Sequence, residues 1–197
     1  VTTHAEPKVI REGGQEGDQV GVREYDDMLY VVTNTTPHYW LMREGEEVEL
    51  RPQLFDSKDD ALTHVPIDNI RIFPGSNEAN YIIISAIDLN EYETTEMKVE
   101  TYLGAGSGIY MSTEAIYMTA PVYMPLAAST DLAMDSAMLV MNNNTELYKF
   151  AVDGTNIEMK ARTTIEGSVL NQFSMDEYND YLRVATTTGN AWGRDGD

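Results

Sequence analysis

The sequence predicts an all-β chain of short antiparallel strands, and three observations carry that expectation. Helix signals are scarce, whereas period-two runs rich in Val, Ile, Tyr and Thr recur throughout the 197 residues. A polar turn running into an alternating strand occurs three times with drift: Asp26-Asp27-Met28-Leu29-Tyr30-Val31-Val32-Thr33, Thr113-Glu114-Ala115-Ile116-Tyr117-Met118-Thr119 and Asn179-Asp180-Tyr181-Leu182-Arg183-Val184-Ala185-Thr186. The segment after the first copy, Tyr81 to Leu89, is echoed after the second by Glu146 to Gly154, so Asp88 to Asp153 spans 65 positions and Ile116 to Leu182 spans 66. Two landmarks at nearly one spacing define a structural repeat. A repeat longer than about 40 residues made of short strands points to β-propeller-type four-stranded antiparallel blades rather than to a helical solenoid.

Taken in order, a strand is expected near 7–12, a turn at Gly13, Gly14 and Gly17, and strands near 19–24 and 28–34. Residues 35–80 break the rhythm with Pro37, Pro52, Pro66 and Pro74 and two acidic runs, and read as a long insertion with a short helical turn near Asp59–Thr63. The insertion's tail, 65–75, reads as an ordered edge segment closed by a Pro-Gly turn. Strands resume near 80–88 and 95–103, followed by a corner at Gly104-Ala105-Gly106-Ser107-Gly108, then near 109–112, 115–120, 137–141, 146–152, 156–164, 168–173 and 181–187, with a shorter loop over 121–136. Grouped by fours, the single propeller segment 1–197 holds a blade at 19–103, a blade at 109–164 and a partial blade at 168–187.

About two and a half blades make an incomplete ring, since propellers typically hold four to eight. The remaining blades then come from a longer chain, or copies self-associate through residues 7–24 and 168–187, or the repeat belongs to another β architecture. The absence of an initiator Met and the ending Trp192-Gly193-Arg194-Asp195-Gly196-Asp197 favour a piece of something longer. Alternation puts Leu29, Val31, Ile116, Met118, Leu182 and Val184 on one strand face and Tyr30, Tyr117 and Arg183 on the other, with Arg183 expected to pair with Asp176 or Glu177.

The 33 acids against 13 Lys plus Arg give a net charge of −20. Such a surface repels phosphate backbones and anionic lipid, which disfavours nucleic acid and membrane surfaces as partners. It fits a saline or cation-rich habitat, or simply a solvated exterior. With no cysteine there is no disulfide, thiolate metal site or Cys nucleophile. No apolar stretch approaches the roughly 18 residues of a membrane span.

Candidate chemistry is sparse. His4, His38 and His64 lack ligand spacing and read as ordinary loop positions. The glycine-rich corner lacks the Lys-Ser/Thr of a phosphate cradle, and no GxSxG elbow appears, so no catalytic residues are assigned. Asp176, Glu177, Asn179 and Asp180 supply four oxygen-bearing side chains in five residues, a loop able to hold Ca²⁺ or merely to make turn hydrogen bonds. Loop aromatics, His38, Tyr39, Trp40 and Tyr123, are the better sign of ligand or partner contact, the alternative being that they cap blade cores.

The stretch from Glu166 to Thr187 closely resembles the hallmark segment of a secreted bacterial and archaeal β-propeller family distantly related to WD40 repeats. Leu29-Tyr30-Val31-Val32-Thr33-Asn34, Ile72-Phe73-Pro74-Gly75 and Thr101-Tyr102-Leu103-Gly104-Ala105-Gly106-Ser107 add to the resemblance, which runs in order from about residue 7 to 193. It implies a propeller displayed outside the cell and carries over no catalytic residues. The acid-rich 43–60 stretch and the early stop depart from the family pattern. The function expected is a noncatalytic extracellular or cell-surface module that binds a protein or carbohydrate. The alternatives are a fragment of a propeller hydrolase or lyase, and a Ca²⁺-stabilised structural module.

Overall fold

A computed structural model describes residues 8–45, 47–73, 76, 78–104, 106, 108–125 and 139–188, without the side chains of 43, 123–125 and 139–142. The chain is all-β, and the described strands do not close a ring. Its strands are β1 (Gly13–Gln15), β2 (Asp18–Tyr25), β3 (Met28–Thr35), β4 (Gln53–Asp56), β5 (Ala61–His64), β6 (Ile70–Ile72), β7 (Tyr81–Asp88), β8 (Lys98–Leu103), β9 (Gly108–Met111), β10 (Ala115–Pro125), β11 (Leu139–Asp153), β12 (Asn156–Glu166), β13 (Met175–Tyr178) and β14 (Tyr181–Val184).

Two meanders dominate. The first runs β2-β3-β7-β8 with the short β6 added in parallel outside β8, and the second runs β9-β10-β11-β12. Two of the three repeated turns are left-handed, the one between β2 and β3 and the one between β13 and β14, whereas the Thr113-Glu114 turn between β9 and β10 is not. Asp26 and Asp27 have φ of 52° and 60°, and Asn179 and Asp180 have φ of 49° and 64°. These two-residue turns need left-handed backbone at both positions, where Asp and Asn are tolerated best after glycine. Gly17 turns the chain between β1 and β2 at φ 110°, where a Cβ would lie 2.5 Å from the Asn34 carbonyl oxygen. Gly106 sits in the corner between the meanders, where a Cβ would overlap the Thr119 carbonyl, so close backbone approach rather than phosphate binding accounts for that glycine.

The meanders lie face to face. Met28, Tyr30, Val32, Ile82, Ile84, Ala86 and Tyr102 of the first bury against Ile109, Ile116, Met118, Tyr148, Phe150 and Ile157 of the second. Phe73, 1% exposed, fills the space beside them from the insertion, with ring centroids 5.0 Å from Tyr102 and 4.2 Å from Tyr148. A second cluster repeats the pattern one layer on: Ala115, Tyr117 and Leu147 pack against Met175, with Leu182 and Val184 of the same β13-β14 hairpin and Val169 from the segment before it beside them. Tyr30 and Tyr117, at 5% and 3% exposure, are therefore buried between layers although they face away from Leu29 and Ile116. Arg183 pairs with Asp176 across the hairpin.

Several sequence expectations are corrected. Residues 8–12 form no strand, and Gly13–Gln15 is a strand rather than a turn, because pairing with β4 outweighs the local glycine signal. Residues 57–60 turn, with Asp60 at φ 47° and Asp56 Oδ1 accepting from Lys58 N at 3.0 Å, into strand β5, not a helix. The described part of the expected 137–141 strand, from Leu139, merges with 146–152 in one strand, β11, while β10 runs on to Pro125. Residues 168–173 are not a strand: a 3-10 turn spans Gln172–Ser174 and the strand is β13. Leu29 and Ile116 are equivalent, since Leu89 N donates to Asp27 O at 2.8 Å and Val152 N to Glu114 O at 2.9 Å. Asp88 then matches Ala151, not Asp153, because β11 continues to a tight turn at Gly154 where β7 ends in a loop. The Pro74-Gly75 turn and residues 126–138 lie outside the described residues.

Replacing Phe73 by Ala leaves a cavity among three aromatic rings and costs about 3–5 kcal/mol. Leu170→Ala, at a side chain 82% exposed, changes stability by less than about 0.5 kcal/mol. Urea unfolding of the intact chain measures both.

Candidate functional site

The insertion does more than interrupt the first meander. Its hairpin β4-β5 joins β1 in a three-stranded sheet, and β1 lies against β3 and β7 through Gln15. Gln15 anchors this sheet: its Nε2 donates to Thr33 Oγ1 at 2.9 Å and to the Ile83 carbonyl at 3.1 Å, and its Oε1 accepts from Ser85 Oγ. Arg11 clasps it, donating to both Asp56 oxygens and to the carbonyls of Tyr92 and Thr95. Below the clasp lies an apolar pocket of about 510 Å³ lined by Leu29, Val31, Ile87, Leu89 and Met97.

Between β3 and β4 lies the 3-10 turn Tyr39–Glu44, entered through Pro37 and closed by Gly45 at φ 83°. His38, Tyr39 and Trp40 are all exposed, Tyr39 at 44% and Trp40 at 46%, and Met42 beside them at 54%. Ring centroids are 4.8 Å apart for His38 and Trp40, and 5.6 Å for Tyr39 and Trp40. These three predicted site residues thus come together as one exposed cluster outside both apolar cores. Tyr123 lies on β10, and its side chain is outside the described residues. His64 contacts Gln53 at 3.5 Å, and His4 is outside the described residues.

The four hairpin residues suggested for Ca²⁺ are divided. Asp176 faces outward to Arg183 while Glu177 faces the second meander, as alternation along β13 requires. Asn179 and Asp180 are the turn residues. Glu177, Asn179 and Asp180 line a depression of about 310 Å³ with Arg23 and Glu114, and no group of three or more acids or histidines able to hold a metal occurs among the described residues.

Glu177 instead joins a polar network that the sequence did not reveal. Its Oε1 accepts from Tyr117 OH at 2.9 Å and lies 3.6 Å from Lys149 Nζ, while Glu177 N donates to Tyr110 OH at 3.1 Å. Burial opposes ionisation of Glu177, but hydrogen bonds from Ser112 and Tyr117 and the Lys149 charge outweigh it and hold the carboxyl below its usual range. The residues involved are 60 or more positions from Tyr110 and Tyr117 in some pairs and carry no spacing signal. The inner strands add a groove of about 600 Å³, lined by Gln19, Arg23, Tyr110, Gln172 and Phe173 among others.

Asp56 shares the sign of Glu177: hydrogen bonding to Arg11 outweighs burial and holds it below its usual value. A carboxyl depressed on folding contributes stability above its unfolded pKa and loses that contribution as pH falls through the folded value. The melting temperature therefore drops on acidification below about pH 4. Asp56→Asn and Glu177→Gln each lower stability at pH 7, by about 1–3 kcal/mol, and flatten the acid-side loss, as melting curves from pH 2 to 7 show.

An uncharacterized protein of Archaeoglobus fulgidus is 46% identical over 43 residues, a match covering 22% of this chain and 6% of that protein, so the chain spans only a small part of that curated relative. No solved structure matches the chain. A family model described as Beta propeller domain matches residues 1–197. With its stacked antiparallel meanders covered over their whole length by that match, the chain belongs to the beta propeller domain family.

Proposed function

We propose that the chain is a noncatalytic binding module of a propeller displayed outside the cell, contacting a protein or carbohydrate through loops on rigid sheets. The observation that supports this most is the exposed His38, Tyr39 and Trp40 cluster, held on an insertion that is itself fastened to the first meander by Gln15 and Arg11. Large amphipathic rings kept out of a core that has room for aromatics elsewhere fit partner contact. In this reading 19–103 and 109–164 are successive blades and 168–187 begins a third, with the remaining blades or a second copy completing the ring. A net charge of −20 favours a saline exterior and disfavours nucleic acid. No helix is long and apolar enough to cross a membrane among the described residues. The calcium-stabilised alternative draws less support, because Asp176 and Glu177 are engaged by Arg183, Tyr117 and Lys149.

Panels of polysaccharides and cell-surface proteins, presented to the intact chain and to Trp40→Ala, test the proposal. The expected result is saturable binding that weakens about tenfold in the variant at unchanged melting temperature. Turnover of a panel member would favour the hydrolase or lyase reading, and binding indifferent to Trp40 would place the site elsewhere.

A further inference from the structure

We infer that the corner formed by His38, Tyr39 and Trp40 takes a cationic group, the guanidinium or ammonium of a basic partner segment, rather than the flat face of a sugar; this rests on the binding reading above and narrows it. The first argument is geometric. The indole of Trp40 meets the His38 ring at 54° and the Tyr39 ring at 75°, with centroids 4.8 and 5.6 Å away. A pyranose stacks on a flat platform, whereas rings at steep angles leave a corner walled by more than one π-face. A compact cation fills such a corner, attracted by the negative quadrupole of each face within about 6 Å of the centroids. All three residues are exposed.

Charge is the second argument, and it is independent of the first. The chain carries 33 acids against 13 Lys plus Arg, and Glu44 and Glu47, which follow the rings in sequence after Arg43, are exposed. A field of that sign steers cations toward the turn and repels anions. Carboxylates alone would gather any cation loosely. The rings supply what selects a site, because their attraction requires close, desolvated contact that a mobile counterion does not make.

Trp192→Phe leaves Trp40 as the single tryptophan, since the chain has two, so its emission reports the corner directly. Hexa-arginine and cellohexaose are titrated into this protein, and calorimetry repeats the hexa-arginine titration on the intact chain and on Trp40→Ala. The expected result is a saturable emission change with hexa-arginine alone, an affinity about tenfold lower in Trp40→Ala, and further weakening as salt rises from 0.05 to about 0.5 M. Equal affinity in Trp40→Ala would overturn the inference by showing that net charge suffices. Saturation by cellohexaose without hexa-arginine would overturn it while leaving the binding reading in place. Silence with both overturns it as well, and a panel that also yields no ligand removes the binding reading.

Discussion

Burial of both faces of the central strands in the two meanders is the constraint on which the rest of this molecule depends. Each central strand must offer apolar or aromatic side chains to both sides, which is why Tyr30 and Tyr117 alternate with Leu29, Val31, Ile116 and Met118 instead of with charged residues. One face of the first meander meets the opposite face of the second, and the second meets the hairpin in the same sense. The stack then needs something over the free face of the first meander. The cover comes from β1, paired to β4: Gln15 accepts from the buried Ser85 hydroxyl, which an aliphatic side chain would leave unpaired, while Thr33 Oγ1 accepts from Gln15 and donates to the Glu16 carbonyl.

Tyrosine suits the positions between layers because a ring fills the gap and its hydroxyl reaches the next layer. Tyr30 OH donates to the Gly154 carbonyl at 2.7 Å, and Tyr117 OH donates to Glu177. In the third layer the same place is taken by Arg183, which pairs with Asp176 and lies 5.1 Å over the Tyr178 ring on an exposed face. The insertion serves several ends at once: Phe73 fills the first interface, β4 pairs with β1, which lies against the first meander, and residues 38–42 stand outside both apolar cores. A loop this anchored can present rings without losing them to the core.

Much of the fold was legible because its signals are local. Period-two alternation located β2, β3, β7, β9 and β12 to within a few residues, and the Asp-Asp and Asn-Asp turns marked the starts of two hairpins. The failures have one cause, tertiary pairing that overrides local chemistry. Gly13 and Gly14 became strand because β4 lies beside them, and Val169 and Leu170 alternate like a strand but have only the Ser168–Thr187 bridge to pair with. At the candidate site, composition and loop position singled out His38, Tyr39 and Trp40, whereas the Arg11 clasp and the Glu177 network joined residues far apart in sequence and left no pattern to read. In the acidic hairpin, adjacent carboxylates on a strand point to opposite sides, so Asp176 and Glu177 meet different surroundings.

The central claim is that the two meanders, with Phe73 between them, form one cooperative unit. Native-state hydrogen exchange of the intact chain tests it most directly. The account predicts that the amides of Ile82–Ala86 on β7 and of Met118–Ala120 and Leu147–Phe150 on β10 and β11 share one slowest free energy of opening, while residues 8–12 and the 39–44 turn open far more readily. Separate opening energies for β7 and for β10 with β11, differing by more than about 2 kcal/mol, would show two independently stable sheets and contradict it.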